Sequence, residues 1–186
     1  SVRMNQETLN TSEMVGIGLM ILGILFLGLS GLAINSGQVR TTLANPHALQ
    51  RIALFTASFF LFSFITRSLA SRINNRKGML IALANGFLSC LSDFWINPLL
   101  ALVAIVFGGR STPTQFIIFT IAAFILTMCG TVITWQNQLA FKYAQASNVV
   151  PVAQVPIQIA PILVYFYIFA LTPPSSISVF YIFAGT

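Results

Sequence analysis

The chain has 186 residues, of which 56% are hydrophobic and only 6% are charged, whereas a soluble domain carries about a quarter charged residues. This composition and a mean hydropathy of +0.87 exclude an ordinary soluble domain and predict an all-α polytopic membrane protein. The net charge of +6 does not indicate a nucleic-acid partner, because the basic residues lie scattered at the ends of apolar runs, where they orient helices in the bilayer.

Apolar runs divide the chain into a polar N-terminal segment, 1–13, and a single transmembrane helical domain, 14–186. Five runs are long enough to cross a bilayer, which takes about 20 residues. A polar loop is expected from Asn35 to Gln50. The last apolar run is too short to cross the bilayer, which suggests that the sequence is a portion of a longer protein. The predicted spans are 14–34, 52–69, 78–107, 114–138 and 149–171, with a partial sixth at 175–186.

Side chains that perform catalysis or bind metals are scarce in this sequence. One histidine and three acids supply no carboxylate pair, no histidine beside a nucleophile and no metal-ligand spacing. Cys90 and Cys129 fall inside apolar runs, which is typical of small core residues rather than of a disulfide or metal pair. We therefore expect no enzyme, no metal site and no cofactor.

The run 78–107 contains the one acid that lies within an apolar stretch, Asp93. As a single helix the run would be about 45 Å long, and Asn97-Pro98 predicts a kink near residue 97. Asp93 and Asn97 share a helical face, and an ionisable group at membrane depth indicates a functional site. The alternative places Asp93 at an interface or in a structural pair with a basic side chain. If this run crossed the bilayer twice instead of once, the number of basic residues on each side of the membrane, given below, would stay the same.

The next span carries a second polar stripe. Thr131, Thr134 and Gln138 recur at helical spacing and are candidates for binding a polar solute. Threonine hydroxyls can also bond to the backbone of their own helix, which is the alternative interpretation.

The span 149–171 combines prolines with glutamines. A proline cannot donate its N–H and crowds the carbonyl four residues earlier, and in hydrocarbon such carbonyls are tolerated only where protein or a water-filled cavity satisfies them. A polar, kinked face of this kind is typical of a permeation path, although the glutamines could instead only bridge to neighbouring helices. The face consists of Ser147, Pro151, Gln154, Gln158 and Pro161, and Pro156 is a third candidate hinge.

The distribution of Lys and Arg predicts the orientation of the chain. With five spans, one side holds six basic residues, which are Arg3, Arg67, Arg72, Arg76, Lys77 and Lys142. The other side holds three, which are Arg40, Arg51 and Arg110. The positive-inside rule then places the N-terminus in the cytoplasm.

The stretch from Thr131–Gln138 into LAFKYAQASNVVPV, residues 139–152, resembles the drug/metabolite transporter (DMT) superfamily, most of all its EamA and NIPA-like branches. Those proteins show a similar helix end, a short turn, a small-polar pair, two valines and a proline. Glu13-Met14 followed by VGIGLMILGILFLGLSG is similar to the helix that closes their first repeat. The resemblance implies a ten-helix transporter with two inverted repeats, in which this chain is one repeat plus the preceding helix. NIPA-like proteins tend to carry a lysine near Asp93-Phe94, which is a departure.

The leading hypothesis is therefore a secondary transporter of small polar metabolites or cations that works by alternating access. Gln154 and Gln158 would bind the solute, with Asn97, Thr131, Thr134 and Gln138 as further candidates. Asp93 would couple transport to an ion or proton. Pro151, Pro156 and Pro161 would be the hinges. The alternative is a non-transporting structural subunit of a larger membrane complex. Expected partners are the lipid bilayer and a first transporter repeat, a second copy or other membrane subunits.

Overall fold

The computed structural model of the chain describes residues 11–29, 34–171 and 176–185, and in these residues the regular structure is entirely helical. A short 3-10 turn, Asn74–Arg76, joins the third helix to the fourth. The sixth helix continues into a π-helical turn, Val164–Ile168. The helices are α1 (Thr11–Leu29), α2 (Ser36–Leu43), α3 (Pro46–Arg72), α4 (Lys77–Phe107), α5 (Pro113–Tyr143), α6 (Ala146–Leu163) and α7 (Ser176–Gly185).

Four helices in the described part of the chain are long and apolar enough to cross a membrane, namely α3, α4, α5 and α6 with its π-helical turn. This confirms a helical membrane bundle. The predicted span 14–34 overlaps α1, whose apolar section Met14–Phe26 is shorter than the roughly 20 residues of a crossing. Residues 30–33 lie outside the described part, so the count of five full spans stays a prediction. The short helix α7 lies where the partial sixth span, 175–186, was predicted.

The segment 35–50 is helical over much of its length, contrary to the predicted polar loop. Asn35 Oδ1 accepts from the Gln38 backbone N–H at 2.9 Å, and Gln38 Oε1 accepts from the Asn35 backbone N–H at 3.0 Å. This reciprocal capping box satisfies two donors that a helix start leaves unpaired. Asn45 caps α3, and Pro46 is its first residue, where a proline costs no intrahelical hydrogen bond.

Helix α4 is the central element of the bundle, because α3, α5 and α6 all pack along it. It runs unbroken from Lys77 to Phe107 with Pro98 inside it, in agreement with one long helix rather than two crossings. One turn before the proline, Asn97 Nδ2 donates a hydrogen bond to the Asp93 carbonyl at 3.3 Å. Aromatic side chains from α3 and α4 form much of the core, namely Phe55, Phe59, Phe94 and Trp95.

Two glycines allow neighbouring helices to approach α4 closely. A Cβ atom at Gly86 would overlap the carbonyl oxygen of Ala153 on α6 and lie 3.1 Å from Pro156 Cγ. A Cβ atom at Gly78 would lie 2.9 Å from the amide nitrogen of Ala144, just after α5. Small residues at contact points are the usual way in which membrane helices pack closely. The two glycines thus determine how near α5 and α6 come to α4.

The two ends of the bundle differ in charge. Near one end the Arg67 guanidinium lies 5.3 Å from the centroid of the Trp135 ring, and Lys77 Nζ lies 4.2 Å from that of Tyr143. Arg3 lies outside the described residues, and the orientation inferred from the charge count stays a prediction. The end that we call the basic end carries Arg67, Arg72, Arg76, Lys77 and Lys142.

At the opposite end, basic side chains fasten α2 and α3 to their neighbours. Arg40 Nε donates to the Ala101 carbonyl of α4 at 3.0 Å. Arg51 Nη1 donates to the Tyr167 carbonyl in the π-helical turn at 3.3 Å. The Tyr167 carbonyl lies at the end of the π-helical turn, where intrahelical partners run out, whereas the Ala101 carbonyl lies inside α4 and accepts the Arg40 contact in addition.

Candidate functional site

Helix α6 passes through all three of its prolines without interruption. Because Pro151, Pro156 and Pro161 lack an N–H, three carbonyls of the helix have lost their usual intrahelical partner. Soon after Pro161 the helix widens into the π-helical turn, which ends with the Phe169 N–H donating to the Val164 carbonyl at 3.0 Å. Such π segments occur mostly as single turns and often at functional sites. Hydrogen bonding is therefore weakened at three points along α6, and the π-helical turn follows the last of them.

This cavity, which we call the Asp93 cavity, lies between α4 and the second half of α6 and has a volume of about 210 Å³. Asp93 and Asn97 line it from α4, and Pro161 lines it from α6. The structure thus brings together three of the residues that the sequence singled out. The rest of the lining is mostly apolar and comprises Ile34, Cys90, Phe94, Ile157, Ala160, Val164, Tyr165 and Phe169.

Asp93 lies near the middle of α4, far from both ends of the helix. Asp93 follows Lys77 by sixteen residues and precedes Phe107 by fourteen, or about 24 Å and 21 Å of helix. The side chain is exposed to the cavity space rather than buried between helices. A carboxylate at this depth can accept a proton or pair with a cation, and Asn97 adds an amide one turn away.

A second concave surface, the glutamine groove, lies where α6 faces α1 and α7. Pro151, Gln154 and Gln158 line it together, as their helical spacing predicts, and its volume is about 320 Å³. The Nε2 atom of Gln158 is buried without a hydrogen-bond partner among the described residues. Buried polar groups are normally hydrogen-bonded, so this donor lacks the partner that its burial calls for. The other lining residues are Leu19, Met20, Gly23 and Ala184.

The predicted stripe on α5 joins neither cavity. Thr131 and Thr134 are exposed, and their hydroxyls donate to the carbonyls of Thr127 and Gly130 on the same helix, each at 2.9 Å. Gln138 is also exposed on this helix. This matches the alternative interpretation of the threonines, and the role of these three residues in binding a solute stays a prediction.

Sequence reasoning missed a part-buried amide pair between α4 and α5 and a buried glutamine on α5. Asn85 Nδ2 donates to Asn137 Oδ1 at 2.6 Å, and Asn85 is only 3% exposed. Gln136 is 5% exposed, and both Gln136 Oε1 and Asn85 Oδ1 lack a partner among the described residues. Gln136 continues the apolar series Ile118, Ala122, Ile125 and Cys129 at helical spacing. That spacing is the signal that could have revealed a glutamine on the buried face.

In the part of the chain that the structure describes, no group of three or more His, Cys, Asp or Glu side chains is placed to hold a metal ion.

Comparisons with protein-family models, with curated proteins and with solved structures find no match to this chain. What supports a function is therefore the geometry of its own residues.

Proposed function

We propose that this chain forms the membrane-spanning body of a secondary transporter that moves small polar metabolites or cations by alternating access. The observation that carries the proposal is the Asp93 cavity, where a carboxylate lies near the middle of a long apolar helix. Ionisable groups at membrane depth are costly and mark ion or solute pathways. Secondary transporters place their sites near the bilayer midplane.

In this proposal the two concave surfaces have different tasks. Asp93 takes up the coupling cation or proton, and Asn97 adds a polar contact beside it. Gln154 and Gln158 bind the solute from the other side of α6, where both line the glutamine groove. Since both surfaces share α6, a movement of this one helix changes both sites together.

The prolines of α6 supply the flexing points that alternating access requires. Pro151 lies in the glutamine groove, Pro156 packs beside Gly86, and Pro161 borders the Asp93 cavity. A helix that lacks three intrahelical hydrogen bonds and ends in a π-helical turn bends at a lower cost than a regular one. As part of the same proposal, the chain corresponds to one repeat of a DMT-type transporter plus the preceding helix, with a cytoplasmic N-terminus.

Uptake by proteoliposomes tests the transport proposal. The chain is purified from its native membrane together with any subunits that stay bound and is reconstituted with a pH-sensitive dye inside the vesicles, and a panel of amines, amino acids and alkali cations is added outside. Asp93→Asn is expected to abolish solute-dependent proton movement. Gln158→Leu is expected to raise the half-saturating concentration about two- to tenfold, the effect of one lost hydrogen bond.

Thr120→Val is the matched control, because Thr120 lies exposed on α5 and its hydroxyl bonds to the Phe116 carbonyl of its own helix at 2.9 Å. Its uptake is expected to equal that of the unaltered chain. The proposal fails if no solute in the panel moves protons or ions, or if Asp93→Asn transports like the control.

A second candidate function, a structural subunit of a larger membrane complex, is favoured by the outward face of α5. This helix packs almost entirely on α4, which leaves Thr131, Thr134 and Gln138 exposed on the opposite side. Small and polar residues on a membrane helix are common contact points for another helix. A first transporter repeat, a second copy or an unrelated subunit would fit there.

Purification from the native membrane in a mild detergent separates the two functions. Stable association with other subunits, together with unchanged activity of that complex in Asp93→Asn and Gln158→Ala, would favour the structural subunit. Loss of activity in either variant would favour transport.

A further inference from the structure

A polar pocket of about 240 Å³ lies at the basic end of the bundle, where α4 begins, α5 ends and α6 begins. The transport proposal gives it no role. Arg76 and several uncharged polar side chains line it, whereas the described part of its lining includes no acid. The polar lining residues are Asn75, Arg76, Tyr143, Gln145 and Asn148.

The positive charge around this pocket has no nearby compensation from the described side chains. Lys77 Nζ lies 4.2 Å from the centroid of the Tyr143 ring, so a second cation stands directly beside the pocket wall. Arg72 and Lys142 are exposed at the same end. Asp93, the single carboxylate among the described side chains, lies about 24 Å away along α4. A ligand for this pocket therefore carries negative charge.

The position of the pocket relative to the membrane limits the class of ligand further. It is formed at the ends of helices that are long enough to cross the bilayer, so it lies at the level of the lipid headgroups. A guanidinium binds phosphate oxygens strongly and often with two hydrogen bonds. The amides of Asn75, Gln145 and Asn148 are further donors for the remaining oxygens. Clusters of basic residues just outside membrane helices attract anionic lipids.

We propose that this pocket binds the phosphate-bearing headgroup of an anionic phospholipid. Arg76 contacts the phosphate, the neighbouring amides hold its other oxygens, and the remaining cations of the basic end supply a general attraction. The acyl chains lie along the exposed apolar surface of the bundle. The lipid would thereby join the beginnings of α4 and α6, the two helices that border the Asp93 cavity.

Native mass spectrometry of the purified chain tests this site. Dioleoyl phosphatidylglycerol and dioleoyl phosphatidylcholine are titrated separately, and the dissociation constant of the first bound lipid is measured. We expect tighter binding of the anionic lipid. Arg76→Gln is expected to weaken it about fivefold, the effect of one basic residue near a membrane surface. Asn148→Leu, which leaves the charge unchanged, is expected to weaken it about two- to tenfold through a lost hydrogen bond.

Arg110→Gln is the matched control, because Arg110 is an exposed arginine in the loop at the opposite end. It is expected to bind phosphatidylglycerol like the unaltered chain. Equal effects of Arg76→Gln and Arg110→Gln, or no effect of Asn148→Leu, would overturn a defined pocket in favour of diffuse attraction. Displacement of the bound lipid by millimolar inorganic phosphate would identify free phosphate as the ligand and overturn the assignment to a lipid. Equal affinity for the two lipids would also overturn it.

Discussion

The close approach of α4 and α6 predicts opposite outcomes for the same substitution at two glycines. Alanine in place of glycine in a helix interior gains about 0.8–1.0 kcal/mol of helix propensity. At Gly130 on α5, a Cβ atom would meet nothing within 4 Å, so Gly130→Ala is expected to show this gain. At Gly86 the same Cβ would overlap the Ala153 carbonyl oxygen. That atom belongs to a packed helix and cannot rotate away as the end of a side chain could.

The magnitude follows from the two opposing effects. Overpacking in a close-packed region costs about 1–3 kcal/mol, which exceeds the propensity gain for most of that range. Gly86→Ala is therefore expected to lower the free energy of unfolding, and to differ from Gly130→Ala by about 1–3 kcal/mol, the cost of the overlap alone. Relieving the overlap in Gly86→Ala would move α6 away from α4 and widen the Asp93 cavity.

Reversible unfolding in mixed micelles, by increasing the mole fraction of a denaturing detergent, measures these free energies. Tryptophan fluorescence reports the transition, and Trp95 contributes to it from a buried position where its Nε1 donates to Thr56 Oγ1 at 3.1 Å. The reasoning is refuted if Gly86→Ala and Gly130→Ala stabilise the chain equally. It is also refuted if Gly86→Ala destabilises while reactivity of Cys90, a lining residue of the cavity, stays unchanged.

Three further predictions test individual contacts, each by the same unfolding measurement. Asn85→Ala and Asn137→Ala are combined in a double-mutant cycle. We expect a coupling free energy of about 0.6 kcal/mol, the average for polar contacts within membranes. Additive effects of the two substitutions would contradict the hydrogen bond between the two amides. Thr131→Val is expected to leave stability within about 0.5 kcal/mol, because the hydroxyl is exposed and bonds only to its own helix, and a larger loss would indicate a partner helix on this face. Lys77→Gln is expected to lower the free energy of unfolding by about 0.5–1 kcal/mol, because the contact with the Tyr143 ring is lost. If Lys77→Gln lowers it equally in a chain that already carries Tyr143→Leu, that contact does not contribute to stability.

Hydropathy located the membrane helices well but not the full length of each helix. The run 78–107 differs from α4 by one residue, because a long apolar helix is defined by its composition. By contrast, α5 was predicted over 114–138 and extends to Tyr143. Its polar end continues to make helical hydrogen bonds after the apolar run has stopped. Helix α2 was missed for a related reason, since a capping box rather than apolar spacing starts it.

The candidate site was predictable along each helix but not between helices. Spacing alone placed Asp93 and Asn97 on one face of α4, and Gln154 and Gln158 on one face of α6. It could not tell that these faces border different cavities, because that depends on how α6 is rotated against Gly86. The packing of helices that are distant in sequence decides which neighbour a polar side chain contacts. The periodicity of one helix carries no information about that packing.

The pairing of α1 with α7 has a consequence for biosynthesis. Phe26 on α1 stacks on Tyr181 on α7, with ring centroids 6.0 Å apart, and otherwise α1 packs chiefly on α6. The ribosome must add about 120 residues after α1 before α6 begins to emerge, roughly 6–24 s at 5–20 residues per second. Throughout that interval α1 lacks its contacts with α6 and α7, while α3, α4 and α5 can already assemble as consecutive hairpins. Within this sequence α1 is thus made before α3, α4 and α5 but reaches its neighbours after them.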